Sequence, residues 1–143
     1  MIKVLGISGS LRRGSYNSAL LRAAQRLMPG DAALEIATIR GIPLYDADVE
    51  AQGIPAAVSQ LKEAIVAADA VLLATPEYNN SLPGVLKNAI DWLSRPSSDI
   101  KRVFGGKPFA TMGASAGGFG TILSQTAWLP VLRAEREIGR AHV

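Results

Sequence analysis

Cysteine is absent from the 143-residue sequence, and histidine occurs once, as His142, one residue from the end. Without cysteine there is no disulfide framework, thiolate metal site, iron–sulfur cluster or cysteine nucleophile. A lone terminal histidine argues against a serine–histidine triad or a multi-histidine metal site. Whatever chemistry such a chain performs is expected to come from a cofactor. No long apolar run is present either. The longest uncharged stretch, the 25 residues between Lys107 and Arg133, holds six glycines or prolines and reads as strand, loop and helix rather than a membrane span. The start, Met1 to Ile7, is too short for a signal-peptide apolar region, so a cytoplasmic protein is expected. Charge of one sign is also scarce, with 15 basic against 12 acidic side chains. The basic residues are dispersed without interleaved aromatics, which argues against nucleic acid as a partner. One adjacent pair, Arg12-Arg13, lies in a Gly/Ser segment and suits one small anion.

What is present is an alternation of strand and helix in a chain long enough for one domain. Ile2 to Ile7 is a short β-branched run closed by Ser8-Gly9-Ser10, which predicts a buried strand. Asn17 to Met28 carries apolar residues at helical spacing and closes with Pro29-Gly30. Leu34 to Ile39 predicts a second strand, and 40–54 a loop holding Asp46, Asp48 and Glu50. Pro55 opens a second helix, Ala70 to Thr75 is a third strand, and Pro83 opens a third helix. Phe109 to Met112 is a short fourth strand, and Gly117 to Arg133 a fourth helix disturbed by Pro130. Four βα units in succession predict a parallel sheet with right-handed crossovers and helices on both faces. Ligands in such a sheet sit beyond the C-terminal strand ends, where the winding reverses.

Three loops meet that description. Ser8 to Ser18 offers the Ser10, Ser15 and Ser18 hydroxyls, the Asn17 amide and the Arg12 guanidinium at a helix N-terminus, the components of a phosphate site. It lacks both the Walker A and the dinucleotide glycine patterns, and it also reads as a βα turn capped by Asn17 or Ser15. Thr75 to Gly84 carries two prolines around Glu77, Tyr78, Asn79 and Asn80. It could read the edge of a planar heterocycle with Tyr78 stacked on it, or simply be a rigid loop before a helix. Gly113 to Gly120 either lets backbone approach a flat ligand or is a flexible connector.

Together, Gly9-Ser10-Leu11-Arg12 with Ser15 and Asn17, Pro76-Glu77-Tyr78-Asn79, and Leu86-Lys87-Asn88-Ala89-Ile90-Asp91-Trp92 resemble the NADPH-dependent FMN reductase family. This is the flavodoxin-like group that includes chromate and quinone reductases and some azoreductases, and Ile42 to Asp48 is similar to it as well. The resemblance covers about residues 1 to 133 in consistent order. It implies a three-layer α/β/α fold around a doubly wound parallel sheet of order 2-1-3-4-5, binding FMN non-covalently. It also implies NADPH or NADH as electron donor, and a quinone, chromate, an azo compound or free flavin as acceptor. By the same resemblance Ser10, Leu11, Arg12, Arg13, Gly14, Ser15, Tyr16 and Asn17 form the phosphate loop. Pro76, Glu77, Tyr78, Asn79 and Asn80 line the isoalloxazine ring, and Ser115 contacts it from the other side. A homodimer or homotetramer is implied, with Trp92 and Trp128 candidates for either its interface or the core.

The family usually ends in a fifth strand and a last helix, whereas the tail 134–143 here lacks a β-rich run. The expectation is therefore a single domain over 1–143, with an atypical tail, no fifth strand, no role for His142 and the fourth strand left as an apolar edge. Such a chain would be marginally stable or partner-stabilised. Three rivals to a reductase remain at this point: a flavodoxin-like electron carrier, against which the net charge of +3 argues, a fragment that no longer holds flavin, and a non-flavin phosphate-binding domain, for which the Pro76 to Asn80 loop would be a coincidence.

Overall fold

The computed structural model describes residues 1–137. Strands β1 (Ile2–Ser8), β2 (Ala32–Ala37), β3 (Ala70–Ala74) and β4 (Phe109–Met112) form one parallel sheet in the order β2-β1-β3-β4. Among the described residues six α-helices accompany it: α1 (Tyr16–Arg26), α2 (Ala47–Ala51), α3 (Ala56–Ala67), α4 (Gly84–Leu93), α5 (Ile100–Phe104) and α6 (Ile122–Glu137), with a 3-10 turn at Ser97–Asp99 before α5. This is the α/β architecture and strand order expected, with no fifth strand among the described residues and β4 at the edge of their sheet. The winding reverses between β1 and β3, whose ends meet where Ser8 pairs with Ala74.

Alternation along the strands divides the apolar residues between two faces. Leu5, Ile7, Val71 and Leu73 point into the main core with Leu61 and Ile65 of α3, Leu86 and Ile90 of α4, Phe104 of α5 and Trp128 of α6. The opposite face receives α1, and Gly6 makes that approach possible. A Cβ at Gly6 would stand 2.7 Å from Leu21 Cδ2 and 3.1 Å from Leu34 Cδ2. Both tryptophans are fully buried, so they belong to the core of this chain rather than to a surface that could meet a partner. Their indole N–H groups donate to the Pro43 carbonyl (Trp92, 2.9 Å) and to Thr75 Oγ1 (Trp128, 2.9 Å).

Several boundaries differ from the sequence expectation for physical reasons. β2 begins and ends two residues early, because Ile39 is buried in the turn after the strand rather than in it. The 40–54 loop contains α2, capped by the Asp46 carboxylate accepting from the Asp48 amide at 2.8 Å. The short α5 was not expected at all. Helix α6 starts at Ile122 rather than Gly117 and runs through Pro130, whose ring lies on the exposed side while Trp128 and Leu132 hold the other side in the core. The first residues of the tail, 134–137, continue α6. The remainder, His142 included, lies outside the described residues.

Candidate functional site

The loop from β1 into α1 is built around hydroxyls. Ser15 is the N-cap of α1, its Oγ accepting from the amides of Asn17 (3.2 Å) and Ser18 (3.3 Å). That engages two of the helix's otherwise unpartnered donors and leaves the Ser15 O–H proton free to donate. Ser10 Oγ accepts from the Arg12 amide at 3.3 Å and likewise keeps its proton. Ser18, by contrast, is tied to Ser8 Oγ at 2.8 Å inside the turn. The Arg12 guanidinium lies over the Tyr16 ring, 5.4 Å from its centroid.

The loop from β3 into α4 starts at the fully buried Thr75, followed by the buried Pro76. Tyr78 and Ser81 exchange two backbone hydrogen bonds of 3.1 Å around Asn79 and Asn80, whose φ angles are +51° and +60°. Two successive left-handed residues make a type I′ turn, which asparagine tolerates better than other side chains with a Cβ. The Asn pair therefore shapes the tip of the loop. Glu77 turns away from the tip, and its Oε2 accepts from the Leu123 (2.9 Å) and Ser124 (3.1 Å) amides. A carboxylate there complements the N-terminal dipole of α6. Behind the loop, Thr75 Oγ1 gathers Ser124 Oγ (2.8 Å), the Pro76 carbonyl (3.0 Å) and Trp128 Nε1 in a buried network.

The loop from β4 into α6 is pressed against the first two. Gly113 is required there, because a Cβ would run into Thr121 Oγ1 and the Thr75 carbonyl. The buried Asn17 then closes a reciprocal pair with Ala114. Its Nδ2 donates to the Ala114 carbonyl (3.1 Å) and its Oδ1 accepts from the Ala114 amide (3.0 Å). Ser115 donates to the Gly120 carbonyl at 2.8 Å and accepts from the Gly117 amide at 3.2 Å, folding the glycine-rich segment on itself.

Between the three loops lies an open cleft of about 260 Å³ at the C-terminal edge of the sheet. Of the residues singled out in the sequence, Ser10, Arg12, Ser15, Tyr16, Asn17, Pro76, Glu77, Tyr78 and Ser115 line it. Leu11, Arg13, Gly14, Asn79 and Asn80 do not. Ala114 and Ala116 were missed as lining residues, although they flank Ser115 in a loop already marked by its glycines. Arg40 was missed because it comes from the turn after β2, which strand pairing brings beside the first loop; its Nη2 donates to the Leu11 carbonyl at 2.6 Å. No group of His, Cys, Asp and Glu among the described residues could hold a metal ion, and no described helix is long and apolar enough to cross a membrane.

Two polar clusters away from the cleft brace the scaffold. Glu50 accepts from Arg95 Nε (2.9 Å) and from Tyr45 O–H (2.8 Å), and these bonds, Arg95's first, hold its carboxyl below the usual range. The same Glu50 bond pushes the Tyr45 phenol up. The buried Lys62 ammonium reaches Asp99 Oδ2 at 2.9 Å and the Arg95 carbonyl, lowering the Asp99 carboxyl.

The model of the NADPH-dependent FMN reductase family matches residues 2–140. The chain belongs to the NADPH-dependent FMN reductase family. An NAD(P)H-dependent FMN reductase of Pseudomonas aeruginosa is 61% identical over 124 residues, 87% of this chain and 65% of that protein. A 2-hydroxy-1,4-benzoquinone reductase of a Burkholderia species is 44% identical over 125 residues, 87% of this chain and 67% of that one. Among solved structures, the flavoenzyme NAD(P)H:(acceptor) oxidoreductase FerB from Paracoccus denitrificans superposes with a TM-score of 0.86 at 38% identity, over 95% of this chain and 73% of that one. This chain therefore spans about two thirds of the length of these two relatives, 65% and 67%. The sheet order is thus that of a flavodoxin-like reductase fold.

Proposed function

We propose that this chain is an FMN-dependent NAD(P)H oxidoreductase, a single flavodoxin-like domain that passes electrons through bound flavin to a quinone. The observation that carries the reading is the cleft itself, whose lining joins the anion donors Ser10, Arg12 and Ser15 to the proline-stiffened Pro76–Tyr78 segment. The donor set fits FMN. A phosphate monoester is a dianion, and the Ser10 and Ser15 hydroxyls, the Arg12 guanidinium and the N-terminus of the eleven-residue α1 converge where it would lie. Pro76, Glu77 and Tyr78 would face the isoalloxazine, and the Ala114–Ala116 backbone would close the opposite side.

When bound, FMN supplies the hydride and electron chemistry. This chain's residues bind and orient it. Asn17 clamps the phosphate loop to Ala114, Glu77 fixes the Pro76–Tyr78 wall by capping α6, and the Asn79-Asn80 turn holds Tyr78 at the mouth. No side chain at the cleft is needed as a general acid or base. Leu11, Arg13, Gly14, Asn79 and Asn80 shape the loops from outside the cleft, a supporting rather than contacting role. A cytoplasmic homodimer or homotetramer, and acceptors such as chromate or azo compounds, extend the same reading.

The test is steady-state oxidation of NADPH and of NADH by the FMN-loaded chain with a benzoquinone as acceptor. Turnover that depends on both flavin and quinone supports the reading. Retained flavin without nicotinamide oxidation would favour an electron carrier instead.

A further inference from the structure

Among the described residues, Arg12, Arg13 and Arg40 form no ion pair with any carboxylate, whereas Lys62, Lys87, Arg95 and Arg102 all do. Three unneutralised guanidinium groups therefore belong to, or touch, one loop. Arg40 is the one of the three that reaches this loop from another element. Ile39 before it is buried, its own amide donates to Thr38 Oγ1 at 3.1 Å, and Gly41 after it takes a φ of +85° that closes the turn. This rigid base aims the side chain across to the first loop, where Nη2 meets the Leu11 carbonyl at 2.6 Å.

The bond fixes a peptide plane. The carbonyl of the Leu11–Arg12 peptide is held by Arg40 outside the cleft, while its N–H points to Ser10 Oγ, a cleft-lining hydroxyl. The positive end of that peptide dipole is therefore turned inward, toward the Ser10 hydroxyl that Arg12 and Ser15 flank. Freed from Arg40, the same peptide could rotate and present its carbonyl oxygen to an incoming anion, which would repel it.

We infer that Arg40 is a positioning residue for the anion end of the cleft: by gripping the Leu11 carbonyl it orients the loop to accept a phosphate monoester, and so makes the site select phosphorylated flavin over riboflavin. The selectivity for flavin rests on the function proposed above, whereas the orientation of the loop does not. Only one of the five guanidinium N–H groups is used on Leu11, so Arg40 also leaves its full charge beside the loop.

Two measurements on the whole chain test it, with circular dichroism to confirm that each variant is folded. In the first, inorganic phosphate is titrated into isotope-labelled protein while the Arg12 and Gly14 amide resonances are followed. In the second, FMN and riboflavin affinities are compared by flavin fluorescence. Arg40→Ala is expected to weaken both phosphate and FMN about tenfold and riboflavin by less than about twofold, with Arg40→Lys within about threefold of the parent, as fits one charge-assisted bond. Equal losses of FMN and riboflavin would overturn the inference, as would phosphate shifts unchanged by Arg40→Ala or absent from the parent. Phosphate binding that depends on Arg40 in a chain that takes up neither flavin would sustain the positioning role and refute the flavin reading.

Discussion

Replacing Asn17 by alanine should loosen the cleft more than any change at its exposed rim. The Asn17 amide is almost fully buried and makes two hydrogen bonds, 3.1 and 3.0 Å, to the two backbone groups of one residue across the cleft. Each neutral bond contributes about 1 kcal/mol net, and a buried partner left unsatisfied costs about 1 kcal/mol more. Ala114 is only half-buried, so water recovers part of that second cost. The expected loss is about 2–3 kcal/mol, a large part of the 5–15 kcal/mol typical of a small domain. Urea unfolding would register it as a midpoint lowered by about 1–2 M. Asn17→Asp adds a sharper signature. Its carboxylate still accepts from the Ala114 amide, but its second oxygen faces the Ala114 carbonyl, and protonation restores the missing donor. The folded-state pKa of that aspartate should therefore lie above its unfolded value of about 3.9, so the variant's deficit shrinks as pH falls from about 7 to about 4. An Asn17→Ala variant within about 0.5 kcal/mol of the parent, or a pH-independent deficit in Asn17→Asp, would refute the reasoning.

Gly113→Ala forces a methyl into Thr121 Oγ1 and the Thr75 backbone, and is expected to cost about 3 kcal/mol or more, read as a fall in Tm. Glu77→Ala removes the acceptor for the Leu123 and Ser124 amides and should destabilise by about 1–2 kcal/mol, while Glu77→Gln keeps one acceptor and loses less, both by chemical denaturation. Acid should destabilise the parent chain through Asp99 and Glu50. Both carboxyls are lowered in the folded state, by Lys62 and by Arg95 respectively, so their contribution is complete above the unfolded pKa of about 4 and is lost as pH falls through the folded values below it. A combined Asp99→Asn and Glu50→Gln variant should show a flatter Tm profile below about pH 4 than the parent.

The legible parts of the fold were those written in local chemistry. β1, β3 and β4 are apolar runs with turn residues after them, and Pro55 and Pro83 mark the residues just before α3 and α4. Helices α2 and α5 were not legible, because five residues are too few to display a helical period. The site was legible as a set of donors but not in how each donor is engaged. In the sequence Asn17, Ser18 and Glu77 read as groups offered to a ligand. In the folded chain, backbone partners hold Asn17 and Glu77, and Ser8 holds Ser18. Arg40 escaped notice because its place beside Leu11 follows from β2 pairing with β1, a relation that no residue near 40 encodes.

Uptake of FMN by the purified chain is the measurement on which the proposed function depends. The visible spectrum is recorded after loading with FMN and removing the excess, for the parent and for a Ser15→Ala, Arg12→Ala variant. The account predicts flavin bands that stay with the folded parent and leave the variant, because both changes fall on the anion end of the cleft. A parent chain that is folded by circular dichroism yet retains no flavin, or a variant that retains it as well as the parent, would contradict it.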